Sequence, residues 1–151
     1  HTNDAASAVT RLMDLGIEPF LISSTVLGVV AQRLVRTICP NCSETVTLAP
    51  DELTSLGITL TQTSENPVAI KRGRGCLQCR QTGFLGREGV FEVLRVTDTI
   101  KKLIEEKAPA DVIKKAAHRE GMKTLVENAV LKILKGRTTY AEVLRCISLE
   151  D

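Results

Sequence analysis

The sequence predicts a mixed α/β protein, mostly helical, with a small four-cysteine segment set between helix-bearing ends. Three observations carry that prediction. Apolar residues recur at helical spacing near the start of the chain and again from Thr97 onward. Short β-branched runs lie near the middle. Two Cys-x-x-Cys pairs, Cys39-Pro40-Asn41-Cys42 and Cys76-Leu77-Gln78-Cys79, bracket the middle itself.

Taken in order, Ala5, Ala8, Val9, Leu12 and Leu15 define a helix over residues 4–15, with Asn3 or Asp4 as its cap and Gly16 as its stop. Pro19 suits the first turn of a second helix, expected to run to about Val30. Gln32 to Ile38 reads as a short strand leading into the first cysteine pair. Between the pairs, Pro50 to Leu53 looks like a short helix start closed by Gly57, Thr59 to Asn66 a polar loop, and Val68 to Ile70 a strand. Beyond the second pair, Gly83, Gly86 and Gly89 suggest a turn region before a strand at Val90 to Leu94.

The remainder is predicted to be helical. Ile100, Leu103 and Ile104 share one face, and Pro109 opens a helix that Gly121 ends. Thr124-Leu-Val-Glu127 and Thr139-Tyr-Ala-Glu142 are capping-box patterns. The first leads Leu125, Val126, Ala129, Val130, Ile133 and Leu134 up to Gly136, and the second leads Val143, Leu144 and Ile147. Such short amphipathic helices make a small helical bundle, a packing and interaction module whose polar faces carry scattered charge.

The 151 residues can bury one real core or two small ones, and 43% hydrophobic with 25% charged residues is ordinary for a globular chain. A net charge of +2 commits the protein to no partner. Three Phe, one Tyr and no Trp argue against base-stacking platforms for single-stranded nucleic acid. The longest uncharged apolar-leaning run, Pro19 to Gln32, is 14 residues and contains serine and threonine, too short and polar to span a bilayer. No signal or transit peptide is visible, and a start at His1 rather than Met reads as a piece of a longer protein.

The chemistry gathers at the cysteines. Two-residue spacing lets both thiolates of a tight knuckle point at one ion, and two knuckles complete a tetrahedral four-sulfur shell for Cys39, Cys42, Cys76 and Cys79. A structural zinc is the favoured reading. Two disulfides are the alternative for a cysteine-dense secreted domain, which this chain with five cysteines does not resemble. An iron–sulfur cluster is the third, with nothing else pointing to redox chemistry. The 33 residues between the knuckles are expected to fold as an insert, and Cys146, in an apolar helical stretch, as a small core residue.

Other motifs are missing. No GxxxxGK[ST] phosphate loop occurs, no Ser/His/Asp set or carboxylate pair stands out, and His1 and His118 are the only histidines. His118 follows Lys114 and Lys115 on a polar helix face and is expected to be exposed. Lys71, Arg72, Arg74, Arg80 and Arg87 gather near the second knuckle. They read either as a solvated rim around a zinc tetrathiolate of about −2 charge or as phosphate contacts. Arg87 is the best single candidate for the latter, because Gly86 and Gly89 leave room for a close approach.

Several segments together resemble the C-terminal part of the secretion ATPases of type II secretion and type IV pilus assembly, closest to the type II branch. They are His1-Thr-Asn-Asp-Ala5, Arg11 to Phe20, Ala31 to Arg36, the tetracysteine pattern, Gly83 to Leu94, Gly121 to Leu125 and Gly136 to Leu144. The resemblance implies a parent that is a hexameric, cytoplasmic ATPase at the inner-membrane face, using ATP and Mg2+ to power pseudopilus or pilus assembly. Its partners would be other subunits of the hexamer and the inner-membrane platform and cytoplasmic-linker proteins, with no nucleic acid. It further implies that residues 1–38 end a RecA-like motor domain, 39–95 form the metal-binding subdomain and 96–151 a helical subdomain. His1 then matches the histidine box as a catalytic residue, and Arg11 and Arg87 match arginines near the nucleotide or the subunit interface, where they would stabilise phosphate charge. Because the Walker motifs are absent, the 151-residue chain is expected to be inactive alone. A free-standing zinc-ribbon module that binds nucleic acid is the alternative, resting on the basic rim, and a redox or metal-sensing switch is a third reading.

Overall fold

Asp4 decides where the first helix begins. Its backbone is extended and its carboxylate accepts from the Ser7 amide at 2.7 Å, satisfying one of the free N–H groups of a helix start. In the computed structural model, which describes residues 2–47, 54 and 68–147, helix α1 then runs Ala5–Asp14. Pro19 opens helix α2, Pro19–Thr25. Strand β1 is Gly28–Ile38, a 3-10 turn occupies Pro40–Cys42, and strands β2 and β3 are Ser43–Thr47 and Ala69–Gly73. Strand β4 is Phe84–Arg95. Helices α3 to α6 are Asp98–Glu105, Ala110–Arg119, Leu125–Leu134 and Tyr140–Cys146. The described residues are thus mixed α/β, with six α-helices and four strands.

Two short sheets form: β1 pairs with β4, and β2 pairs antiparallel with β3 from Ser43↔Gly73 to Thr47↔Ala69. The chain divides into two compact units, His1–Gln32 with Phe91–Leu125 and Arg33–Val90 with Val126–Asp151. In the first, α2 packs on α3 and α1 on α4. Its core holds Val9, Ile22, Leu94, Ile100, Ile104 and Ile113, each almost wholly buried and each contributing about 1.5–3 kcal/mol of hydrophobic stabilisation. Ile100 and Ile104 reach it together because residues four apart share a helix face. In the second unit, Val35, Val90, Ile133 and Val143 are fully buried, and the cysteines form a cluster of their own.

The structure corrects the sequence reading in several places. Helix α2 stops at Thr25 rather than near Val30, and Gly28 to Ala31 belong to β1. The physical reason is a close pairing. A Cβ on Gly28 would lie 2.9 Å from the Leu94 carbonyl oxygen, so the β-branched run at Val29 and Val30 is used as a strand beside β4. Of the glycine-punctuated turn region only Gly83 lies in a turn; Gly86 and Gly89 belong to the first half of one continuous strand, β4, with Gly86 at φ +83 inside it. Strand β2 was not anticipated. Thr139 caps α6 as expected by accepting from the Glu142 amide, but the Glu142 carboxylate turns inward to two arginines instead of serving a capping box. Cys146 is half-buried rather than in the core. The helix start at Pro50 to Leu53 with its stop at Gly57, and the loop at Thr59 to Asn66, lie outside the described residues, as does His1.

Candidate metal centre

The first knuckle is built by Pro40. Its ring fixes φ for the 3-10 turn Pro40–Cys42, so the Cys42 amide bonds back to the Cys39 carbonyl and the two thiols converge. The second knuckle is closed by Arg80 and Gln81, which both adopt left-handed φ values of 53 and 63 degrees. That reversal lets the amides of Arg80, Gln81 and Thr82 bond back to Leu77, Cys76 and Cys79. The knuckles are brought together by backbone: the Cys39 amide donates to the Gly83 carbonyl and the Arg74 amide to the Cys42 carbonyl.

The result is four sulfur atoms all within 4.8 Å of one another. Cys39 to Cys76, Cys42 to Cys79 and Cys76 to Cys79 measure 3.9, 3.8 and 3.7 Å. An ion with metal–sulfur bonds near 2.3 Å in a regular tetrahedron separates its sulfurs by about 3.8 Å, so the spacing fits a single tetrahedral ion. Disulfides are not formed, since the shortest of these separations is 3.7 Å against about 2.05 Å for a bond.

The electrostatics point the same way. Cys39, Cys42 and Cys79 are buried and Cys76 half-buried, so four thiolates here without a cation would be costly. N–H groups nevertheless aim at the sulfurs. The amides of Gly75, Cys76 and Gly83 donate to Cys42, Cys79 and Cys79 at 3.2–3.3 Å, and the Asn41 side-chain amide donates to Cys76 at 3.3 Å. Asn41 is the main reason the Cys76 thiol is held below its ordinary value, whereas burial pushes Cys42 up. Burial also opposes the Cys79 thiolate, but the Cys76 and Gly83 amides outweigh it and hold that thiol low. Donors directed at soft, buried sulfurs suit a thiolate-bound cation.

A family model described as "Type II/IV secretion system protein" matches residues 1–145. The chain belongs to that family. Among the relatives it is similar to, the type IV pilus assembly ATPase PilB of Thermus thermophilus is 44% identical over 144 residues, covering 95% of this chain and 16% of the relative. The type II secretion system protein E of Pseudomonas aeruginosa and the type II secretion system ATPase E of Vibrio cholerae are each 41% identical over 145 residues, covering 96% of this chain and 28% of theirs. The chain therefore spans well under a third of the relatives it matches. Both branches of the family stand at similar distance.

The residues singled out in the sequence end up in different surroundings. The four cysteines converge. Arg87 is exposed on β4 in the second unit, and Arg11 is exposed on α1 in the first. Of the basic residues near the second knuckle, Arg72 pairs with Glu44 across the β2–β3 ladder at 2.7 Å, and Lys71 runs along Gly136. Arg74 and Arg80 are exposed. Among the described residues no helix is long and apolar enough to cross a membrane.

Sequence reasoning missed three polar residues. Asn41, a knuckle spacer, donates to a sulfur. Glu142 is fully buried and gripped by both Arg36 and Arg145. Glu92 is buried in β4 and accepts two backbone amides. Only the alternation of Glu92 with exposed Phe91 and Val93 along the strand carried a signal, since it places the carboxylate on the same face as Val90 and Leu94.

Proposed function

We propose that this chain is the C-terminal part of a hexameric secretion ATPase that powers assembly of a type II pseudopilus or a type IV pilus. The family match over residues 1–145 carries the proposal. In this reading residues 1–38 end a RecA-like motor domain, 39–95 form a metal-binding subdomain and 96–151 a helical subdomain. Cys39, Cys42, Cys76 and Cys79 hold a structural zinc. The ion supplies cross-linking, not chemistry, because four thiolates leave no open position for water or substrate. Its partners are neighbouring subunits and the inner-membrane platform and cytoplasmic-linker proteins, and it works at the cytoplasmic face of the inner membrane.

ATP with Mg2+ supplies the driving reaction when bound by the parent. This chain contributes polar and positively charged groups to that reaction: His1 as a catalytic residue, and Arg11 and Arg87 as cations that offset charge developing on the phosphates. The 151 residues contain no GxxxxGK[ST] loop to cradle the phosphates, and this chain alone does not turn over. The test is steady-state ATP hydrolysis by the purified 151-residue chain beside a full-length protein that contains it. The full-length protein is expected to hydrolyse Mg-ATP and to lose most of its turnover in His1→Ala, with none from the chain alone. Hydrolysis by the chain alone that survives rigorous purification, or a full-length protein without activity, overturns the reading.

A further inference from the structure

Glu92 is 1% exposed. Its Oε1 accepts from the Ala5 amide at 2.8 Å and its Oε2 from the Leu125 amide at 3.1 Å. These are the first residues of α1 and α5. Each helix of this length presents roughly half a positive charge at its N-terminus, so two such ends together balance one carboxylate. A buried anion that would otherwise be costly is held in place by two helix starts, and it holds them in return.

One of those starts is the segment that leads from His1. Asp4 and Ala5 follow it within four residues, and three elements grip them. Glu92 on β4 takes the Ala5 amide, and the Asp4 carboxylate takes the Ser7 amide. Lys114 on α4 reaches the other Asp4 oxygen at 3.4 Å. Asp4 is itself 8% exposed, and burial opposes its charge while Ser7 and Lys114 hold its carboxyl below the usual range. The backbone entering α1 therefore has little freedom, and α1 carries Arg11 one to two turns further on.

We infer that Glu92 is the positioning residue for Arg11: it pins the start of α1 so that Arg11 presents its charge at a set place. The inference rests on the reading above, in which Arg11 works at the nucleotide. It needs the carboxylate rather than a residue of the same shape. Glutamine at position 92 keeps the volume but has one acceptor oxygen, so its NH2 group faces one of the two backbone N–H groups, donor against donor.

Two measurements test it. In the 151-residue chain, amide exchange at Ala5 and Leu125 is followed in wild type and Glu92→Gln, with the Val143 amide of α6 as the internal standard. At least one of the two amides is expected to lose protection tenfold or more while Val143 is unchanged. Full protection of both overturns the anchor. In a full-length ATPase containing this segment, Glu92→Gln is compared with Ile104→Val, a core change at a fully buried position of the same unit. Glu92→Gln is expected to lower kcat tenfold or more with KM for ATP within twofold, and Ile104→Val to leave both near wild type. A Glu92→Gln kcat near wild type, or equal losses in both variants, reduces Glu92 to a structural role and overturns the inference. If Arg11→Ala leaves turnover intact, the reading of Arg11 fails and the positioning role with it, while the exchange measurement still decides whether the anchor exists.

Discussion

Glu142 shows how one buried side chain can tie a helix to a strand. Its oxygens accept from the Arg36 amide at 3.0 Å, from the Arg36 guanidinium at 2.7 and 3.0 Å and from Arg145 at 2.7 and 3.0 Å. The Arg36 guanidinium also lies 4.2 Å from the centre of the Phe84 ring. Burial alone would raise the Glu142 carboxyl, but Arg145 and Arg36 outweigh it and hold it far below the usual carboxylate range. Both arginines remain partly exposed while Glu142 is not, so the loss on removing the charge is nearer that of charged hydrogen bonds than of a stranded ion pair. Glu142→Gln should cost about 2–3 kcal/mol at pH 7, read by denaturant unfolding. Because the folded carboxyl is depressed, its stabilisation is complete above the unfolded value of about 4.3 and is lost as pH falls further. The gap between wild type and Glu142→Gln should therefore hold from pH 7 to about 5 and narrow below pH 4. A gap independent of pH would mean that the charge contributes nothing.

At the scale of elements, the candidate metal centre depends on a backbone crossing. The end of β3 and the turn before β4 approach so closely that a Cβ on Gly73 would lie 1.9 Å from the Gly83 carbonyl oxygen. Gly83, at φ +77, has that carbonyl on the Cys39 amide and its own amide on the Cys79 sulfur. Any side chain at 73 pushes the two knuckles apart. Gly73→Ala is expected to weaken zinc binding at least tenfold, about 1.4 kcal/mol or more, in a chelator competition. Unchanged affinity would show that the knuckles close without this crossing. The same scale explains much of what could be read in advance. Asp4, Pro19 and Thr139 act through neighbours within one turn, so α1, α2 and α6 start where their caps say. The end of α2 and the strand across Gly86 could not be read, because both are set by β1 and β4 pairing, a partnership between residues as far apart in sequence as Thr37 and Leu85 or Gly28 and Leu94.

For the whole molecule, magnitudes favour a metal-dependent second unit. Structural zinc contributes about 10–16 kcal/mol of binding free energy, comparable with the total stability of about 5–15 kcal/mol of an ordinary domain. One zinc per chain is expected by metal analysis, absent from Cys39→Ser. Chelation should abolish amide protection across Ala69–Gly73 and the knuckles while the helices α1 to α4 of the first unit stay protected. A metal-free protein that keeps protection in β3 would remove zinc from its structural role. The grouping that this experiment probes is invisible in the linear order. The four C-terminal helices follow one another in sequence, yet α3 and α4 fall in the first unit and α5 from Val126 onward and α6 in the second.

Sequence alone determined the grouping of the four cysteines, the family and most helix starts, because cysteine spacing, caps and motif order are local patterns that need no knowledge of distant contacts. Tertiary structure decided what the buried charges do and how the knuckles meet. Glu92 and Asn41 acquire their roles from partners 33 to 87 residues away, and Glu142 from Arg36, 106 residues away, together with its near neighbour Arg145, and the tetrahedral spacing of the sulfurs follows from the contact of Gly73 with Gly83. Those are consequences of which surfaces exclude water together, and only the folded chain brings them together.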